Sequence, residues 1–321
     1  MLSRVAESIF WMGRYIERAE SYARFIEVNL NISLDLPPGV PEQWLPLVYI
    51  TGDNELYESL HPQADRESVI HFLTFSKENP SSILSCIEKA RDNARAVRET
   101  ISGDVFEQVN TFYHELREAS ETGIAQPSEF YRSIKRNSHL YDGILSATIS
   151  HGPAYHFARM GKYLERADKA TRLLDVKYFI LLPRIEDIGS TLDILQWSAV
   201  LKSASALEEF LRKYGVLSAA NIISFLVLDG DFPGAIRFCL ACLDSSMRAI
   251  TGSRPGTFSS EAEKRLGLLR SELDYTDIAD IMSTGLHEYL DQLQLKLNNI
   301  GNAVHGSFFV LPAEQQMVQS Q

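Results

Sequence analysis

One stretch occurs twice, and it limits what this chain can become. Met12-Gly-Arg-Tyr-Ile-Glu-Arg-Ala-Glu-Ser-Tyr-Ala-Arg-Phe-Ile-Glu-Val28 returns as Met160-Gly-Lys-Tyr-Leu-Glu-Arg-Ala-Asp-Lys-Ala-Thr-Arg-Leu-Leu-Asp-Val176, 148 residues on (Met12 to Met160) and without a gap. Eight of the seventeen positions are identical and six more are conservative exchanges. A match of that length points to an internal duplication, with this segment as the signature of each half. A second pair of blocks agrees. Phe72-Leu73, Pro80, Cys86 and Arg95 recur as Phe225-Leu226, Pro233, Cys239 and Arg248 at an offset of 153 residues (Phe72 to Phe225), the difference being a few loop residues.

The signature reads as helix. At 3.6 residues per turn, Val5, Met12, Tyr15, Ile16, Ala19, Ala23, Ile26 and Leu30 fall on one arc, and Arg14, Glu17, Arg18, Ser21 and Arg24 lie across from it. Glu17 reaches Arg14 one turn back. Glu20 and Arg24 form an i,i+4 pair in the favourable order, which Asp168 and Arg172 repeat. Gly13 and Gly161 sit mid-helix, where glycine costs about 1 kcal/mol relative to alanine; keeping it in both copies implies that another backbone passes close by.

Tyr-Ile/Leu-Glu-Arg-Ala-Glu/Asp occurring twice, together with the opening Met1-Leu-Ser-Arg-Val-Ala-Glu-Ser-Ile-Phe-Trp-Met-Gly-Arg-Tyr15, resembles the Alpha-E family of bacterial helical domains, named for its helices and its Glu-Arg motif. The resemblance covers nearly the whole chain. It implies association with circularly permuted ATP-grasp amidoligases and transglutaminase-like proteins, and so a part in making or modifying peptides; it implies no particular activity.

Elsewhere the periodicity predicts only helices. They fall at 2–33, 42–51, 53–60, 66–76 (Asp65 as N-cap), 80–102, 104–119 and 127–150, then at 153–180, 190–203, 204–213, 218–228 (Ser218 as cap), 233–251, 260–273 and 276–303. The fold expected is all-α: two tandem helical-bundle repeats, 1–151 and 152–303, about a pseudo-two-fold axis, with 304–321 as a frayed tail. Apolar content of 45% and charged content of 23% suit a globule with a real core. A net charge of −11 without a basic block argues against nucleic acid and anionic membrane as partners. No run approaches the roughly 20 uncharged apolar residues of a membrane span. The chain opens directly into a charged amphipathic helix, so no leader is expected. Three cysteines indicate a reducing, cytoplasmic setting.

Motifs of known chemistry are sparse. Cys239-Leu-Ala-Cys242 lies mid-helix among apolar residues, where thiols act as small hydrophobes rather than as a redox pair. Glu58-Ser-Leu-His61 is a single ExxH, whereas a carboxylate-bridged metal pair needs two such motifs and further glutamates. His114, His139, His151, His156, His287 and His305 form no paired pattern, and neither a metal nor a cofactor is expected. Phosphate-loop, dinucleotide-loop and nucleophile-elbow motifs are missing. Arg91, Arg95 and Arg98 form a stripe that reads as a solvated face or as a surface for an acidic partner.

The residues of interest are therefore Arg14, Tyr15, Glu17, Arg18 and Arg24 with Lys162, Tyr163, Glu165, Arg166 and Arg172, as a binding or structural ion network. Two functions stay open. One is a non-catalytic binding or scaffolding subunit beside ATP-grasp amidoligase-like and transglutaminase-like partners. The other is a stand-alone enzyme with Glu17 and Glu165 as acid/base carboxylates and Arg18 and Arg166 as an anion clamp.

Overall fold

In a computed structural model the described residues are 1–36, 41–179 and 190–310. Among them every regular element is helical. The first half contains α1 (Ser3–Asp35), α2 (Leu45–Thr51), α3 (Asn54–Leu60), α4 (Arg66–Thr74), α5 (Ile83–Ala96), α6 (Gly103–Thr122) and α7 (Pro127–Thr148). The second contains α8 (Pro153–Phe179), α9 (Thr191–Ser203), α10 (Leu207–Tyr214), α11 (Ala219–Leu228), α12 (Ile236–Thr251), α13 (Glu261–Tyr275), α14 (Ile278–Thr284) and α15 (Leu286–Val304). No single helix among the described residues is long and apolar enough to cross a membrane.

The two signature helices, α1 and α8, form the central pair. On α1 pack α5 and α7, with α6 lying against both; on α8 pack α12 and α15, with α13 lying against both. The short second helices are exchanged: α2 rests on α8, and α9 rests on α1. Each signature helix is therefore enclosed by its own three-helix bundle, by the other signature helix and by a helix from the other half. This explains why α1, at 33 residues about 50 Å long, has no solvent face along its middle. Glu17, Glu20, Ser21 and Glu27 are buried along with the apolar positions. The arc opposite the apolar one, which amphipathicity assigns to water, meets α8 instead.

The closest point of the pair is set by the two glycines. A Cβ on Gly13 would lie 2.3 Å from the carbonyl oxygen of Ala158, and one on Gly161 would lie 2.0 Å from that of Phe10. Any side chain at either position forces the helices apart. Helix ends follow local chemistry. Leu36 is extended at the end of α1, as the residue before a proline prefers. Asp65 and Ser68 form a capping box on α4, and Ser82, Ser102, Ser190, Ser218 and Ser260 each cap the helix they precede.

Several expectations need correction. The helices placed at 80–102 and 233–251 start three residues later, at Ile83 and Ile236, because the prolines lie in the preceding turns, and α5 ends at Ala96. The helix placed at 276–303 is two helices, broken at Gly285, whose φ of +92° leaves the right-handed helical region. Of the tail placed at 304–321, the part up to 310 is ordered. His305–Phe309 forms a π-helical turn, and Phe309 is buried against Phe10 and Phe157. Positions 311–321, like Leu182-Pro183 and positions 37–40, lie outside the described residues.

The glycine contact gives a direct test. Gly161→Ala should lower stability by about 1–3 kcal/mol or more through overpacking, although alanine gains about 1 kcal/mol in helix propensity. Gly143→Ala at an exposed position of α7, where a Cβ meets nothing within 4 Å, should raise it by about 0.5–1 kcal/mol. Urea denaturation of the two variants measures both.

Candidate functional site

Where α1 and α8 cross, their charged residues interlock. Arg166 Nε donates to Glu17 Oε1 at 2.5 Å and Nη2 to Oε2 at 2.9 Å, a two-point fork. Arg18 Nε donates to Glu165 Oε1 at 2.6 Å and Nη2 to Oε2 at 3.0 Å, the same fork with the helices exchanged. Glu17 is 3% exposed and Glu165 is fully buried. The aromatic of each signature forms the floor: Arg18 lies over the Tyr15 ring, and Arg166 over that of Tyr163, each at 5.9 Å. The buried thiols Cys86 and Cys239 stand beside one fork each, and burial pushes the first up to about 11 and the second to about 12, so neither is a nucleophile at neutral pH.

The flanks differ. Arg14 does not pair with Glu17, the partner one turn along its own helix; its Nε donates to Glu165 Oε2 at 2.8 Å, so Glu165 holds two guanidinium groups. Its counterpart Lys162 turns to Asp142 of α7. Arg172 keeps Asp168 at 2.9 Å. Arg24 keeps Glu20 and also donates to the Ser205 hydroxyl. Lys169, buried on α8, lies 3.3 Å from Asp168 and 3.7 Å from Glu165. Seven cations (Arg14, Arg18, Arg24, Lys162, Arg166, Lys169, Arg172) thus meet five carboxylates (Glu17, Glu20, Asp142, Glu165, Asp168), leaving two positive charges in excess within a chain of net charge −11.

Burial alone would raise the pKa of both glutamates. It is outweighed at Glu17 by Arg166, which lowers that carboxyl, and at Glu165 by Arg18 and Arg14, which hold it well below the usual carboxylate range. Both are ionised and engaged at neutral pH. Burial pushes Arg24 down to about 10, still protonated.

Beside the Glu17–Arg166 fork opens a pocket of about 260 Å³. Glu20 and Arg24 of α1 and Lys169 of α8 form its charged wall, Phe25, Leu173 and Phe232 its apolar wall, and His139 of α7 and Ser205 after α9 stand exposed at its mouth. Sequence reasoning did not find His139, Lys169, Ser205 or Asp142 as part of one site. Lys169 aligns with Ser21 between the two similar segments, so their match gives no hint of it, and Ser205 belongs to no motif. The other sequence candidates lie apart. His61 stacks on Tyr57, Glu58 meets Tyr49, and Arg91 and Arg98 lie over Tyr113 and Phe106 of α6. His287 lies between Asp175 and Asp291, a grouping that a metal ion would suit; the bond to Asp175 raises the imidazole pKa, as an ion pair does.

A family model described as "A predicted alpha-helical domain with a conserved ER motif" matches residues 1–309. Uncharacterized proteins of Mycobacterium bovis and Mycobacterium tuberculosis are 23% identical to this chain over 337 aligned residues, covering 98% of it. The chain spans only 38% of the length of these relatives. No solved structure matches it.

The depressed carboxyls fix the sign of a pH effect. A group whose folded pKa lies below its unfolded value, here 4.5, stabilises fully above that value and loses its contribution as the pH falls through the folded one. The contribution of Glu17 and Glu165 should therefore hold from pH 7 to about pH 5 and vanish in stronger acid. Glu165→Gln, which leaves Arg14 and Arg18 without a charge partner, should cost about 3–5 kcal/mol at pH 7 and flatten the acid limb. Denaturant midpoints from pH 3 to 7 for both proteins are the check; a variant within about 1 kcal/mol of the parent would place the pair among surface bridges.

Proposed function

The chain belongs to the Alpha-E family, and from that we propose that it is a non-catalytic helical binding or scaffolding subunit. On this reading it works in the cytoplasm beside an ATP-grasp amidoligase-like enzyme and a transglutaminase-like protein, in a system that makes or modifies peptides. Its two tandem repeats, 1–151 and 152–303, are related by a pseudo-two-fold axis through the α1–α8 crossing. The matched order of packing on α1 and on α8 supports that relation.

One observation carries the reading: the signature charges are turned inward and spent on each other. A general acid or base must exchange a proton near the working pH. Glu17 and Glu165 are buried and forked to guanidinium groups that lower both carboxyls, Glu165 well below the usual range. A motif used in this way makes a rigid body, and a rigid body with varied outer faces suits docking. The length of the relatives points the same way, because there the matched region is joined to additional chain amounting to more than half the protein. A partner protein would stand to the present chain as that additional chain stands to the match. The three unpaired thiols accord with a reducing compartment.

The test is co-purification with kinetics. Tagged protein expressed with its genomic neighbours should recover an ATP-grasp or transglutaminase-like chain in stoichiometric amount, and alone should neither hydrolyse ATP nor ligate or cleave peptides. Recovery of neither chain, together with turnover by the isolated protein that Glu17→Gln abolishes, would establish the enzyme reading instead.

A further inference from the structure

We propose that the pocket beside the Glu17–Arg166 fork binds a small zwitterion of the α-amino-acid class, its carboxylate on Arg24 and Lys169, its ammonium on Glu20, and its side chain against Phe25, Leu173 and Phe232. This goes beyond the scaffolding role and stands without it.

The lining selects the ligand. A simple anion entering the pocket meets the carboxylates of Glu17 and Glu20, and a simple cation meets Arg24, Arg166 and Lys169. A molecule with both charges a few ångströms apart finds each beside its opposite by inserting between Arg24 and Glu20, which pair with each other in its absence. Lys169 is the cation with capacity to spare. It is buried, its ammonium has three protons to donate, and its neighbours Asp168 and Glu165 are already held by Arg172, Arg14 and Arg18. The 260 Å³ volume falls just short of the roughly 300–1,000 Å³ usual for drug-sized ligands, so a single residue fits better than a long peptide. The third wall is apolar, as a hydrophobic side chain requires.

Ser205 stands at the mouth of the same pocket. The turn after α9 is a Schellman motif: Ala206 N donates to Leu201 O at 2.7 Å, and Ser205 N to Lys202 O at 3.0 Å. That motif puts the residue after the C-cap in the left-handed region, where glycine is the usual choice. Here the residue is Ser205 at φ +54°, the one positive-φ residue other than glycine among the described residues. A left-handed L-residue is strained, and the helix end would be better served by glycine. What serine adds is a hydroxyl at the pocket mouth that accepts from Arg24, itself part of the lining. Ser205 therefore both closes the end of α9 and places a polar group at the pocket mouth.

Titration calorimetry on the chain of residues 1–321 at low ionic strength tests the proposal with L-leucine, 4-methylpentanoate, 3-methylbutylamine and inorganic phosphate. L-Leucine should bind about ten- to a hundredfold more tightly than either single-charge analogue, the worth of one charge-assisted hydrogen bond, and phosphate more weakly than L-leucine. Ser205→Gly should keep or raise the melting temperature while weakening L-leucine binding several-fold. No heat from L-leucine at millimolar concentration overturns the proposal. So does equal binding of a single-charge analogue, tighter binding of phosphate, or a Ser205→Gly protein that folds and binds as the parent does.

Discussion

Two carboxylates buried where two helices cross, each forked to a half-buried guanidinium, are the constraint on which the rest of this structure depends. An unpaired carboxylate or guanidinium in that position would cost several kcal/mol. Glu17 with Arg166 and Glu165 with Arg18 remove the cost only if α1 and α8 lie within one side-chain pair of each other and in one register. Gly13 and Gly161 permit that distance, since each faces the carbonyl of the opposite helix where a methyl group would not fit. The short side chains and the long ones are parts of one device: glycine brings the backbones together, and the Glu-Arg pairs a turn further along set the register. Tyr15 and Tyr163 complete it as flat surfaces beneath the guanidinium groups.

From this crossing the architecture spreads outward. Each signature helix carries its own bundle, and α2 and α9 reach across to the other half, so the halves are joined by more than the ion pairs alone. The flanks of the network need not match, and they do not. Arg14 adds a second guanidinium to Glu165, whereas Lys162 goes to Asp142. The side of Glu17 consequently has room for a pocket, and its wall takes the remaining charges, Glu20, Arg24 and Lys169. A structural network and a candidate binding site are thus adjacent uses of one set of side chains.

Much of this is legible in the sequence. The repeated signature points to the central pair, its mid-helix glycines to the close approach, and the exact recurrence of Glu-Arg to a network. Single-helix geometry misleads at Arg14, because periodicity sees only neighbours on the same helix and pairs it with Glu17. It misleads also for the whole polar arc of α1: helical periodicity separates apolar from charged residues but does not say whether the charged side meets water or an opposite charge. Gly285 gives no warning of a break, because one glycine in a helical pattern is usually tolerated, and only its positive φ ends the helix there. Ser205 carries no signal at all in one dimension; its importance comes from a backbone angle and from Arg24, 181 residues away.

The central claim is that the Glu-Arg pairs clasp α1 to α8. A double-mutant cycle on Glu17 and Arg166, using Glu17→Gln and Arg166→Met with unfolding free energies at pH 7, isolates that interaction from the cost of each change alone. The account predicts a coupling energy of about 2 kcal/mol or more, in the upper range for residues in direct contact. Losses that simply add, with coupling below about 0.5 kcal/mol, are what an exposed pair gives and would contradict it.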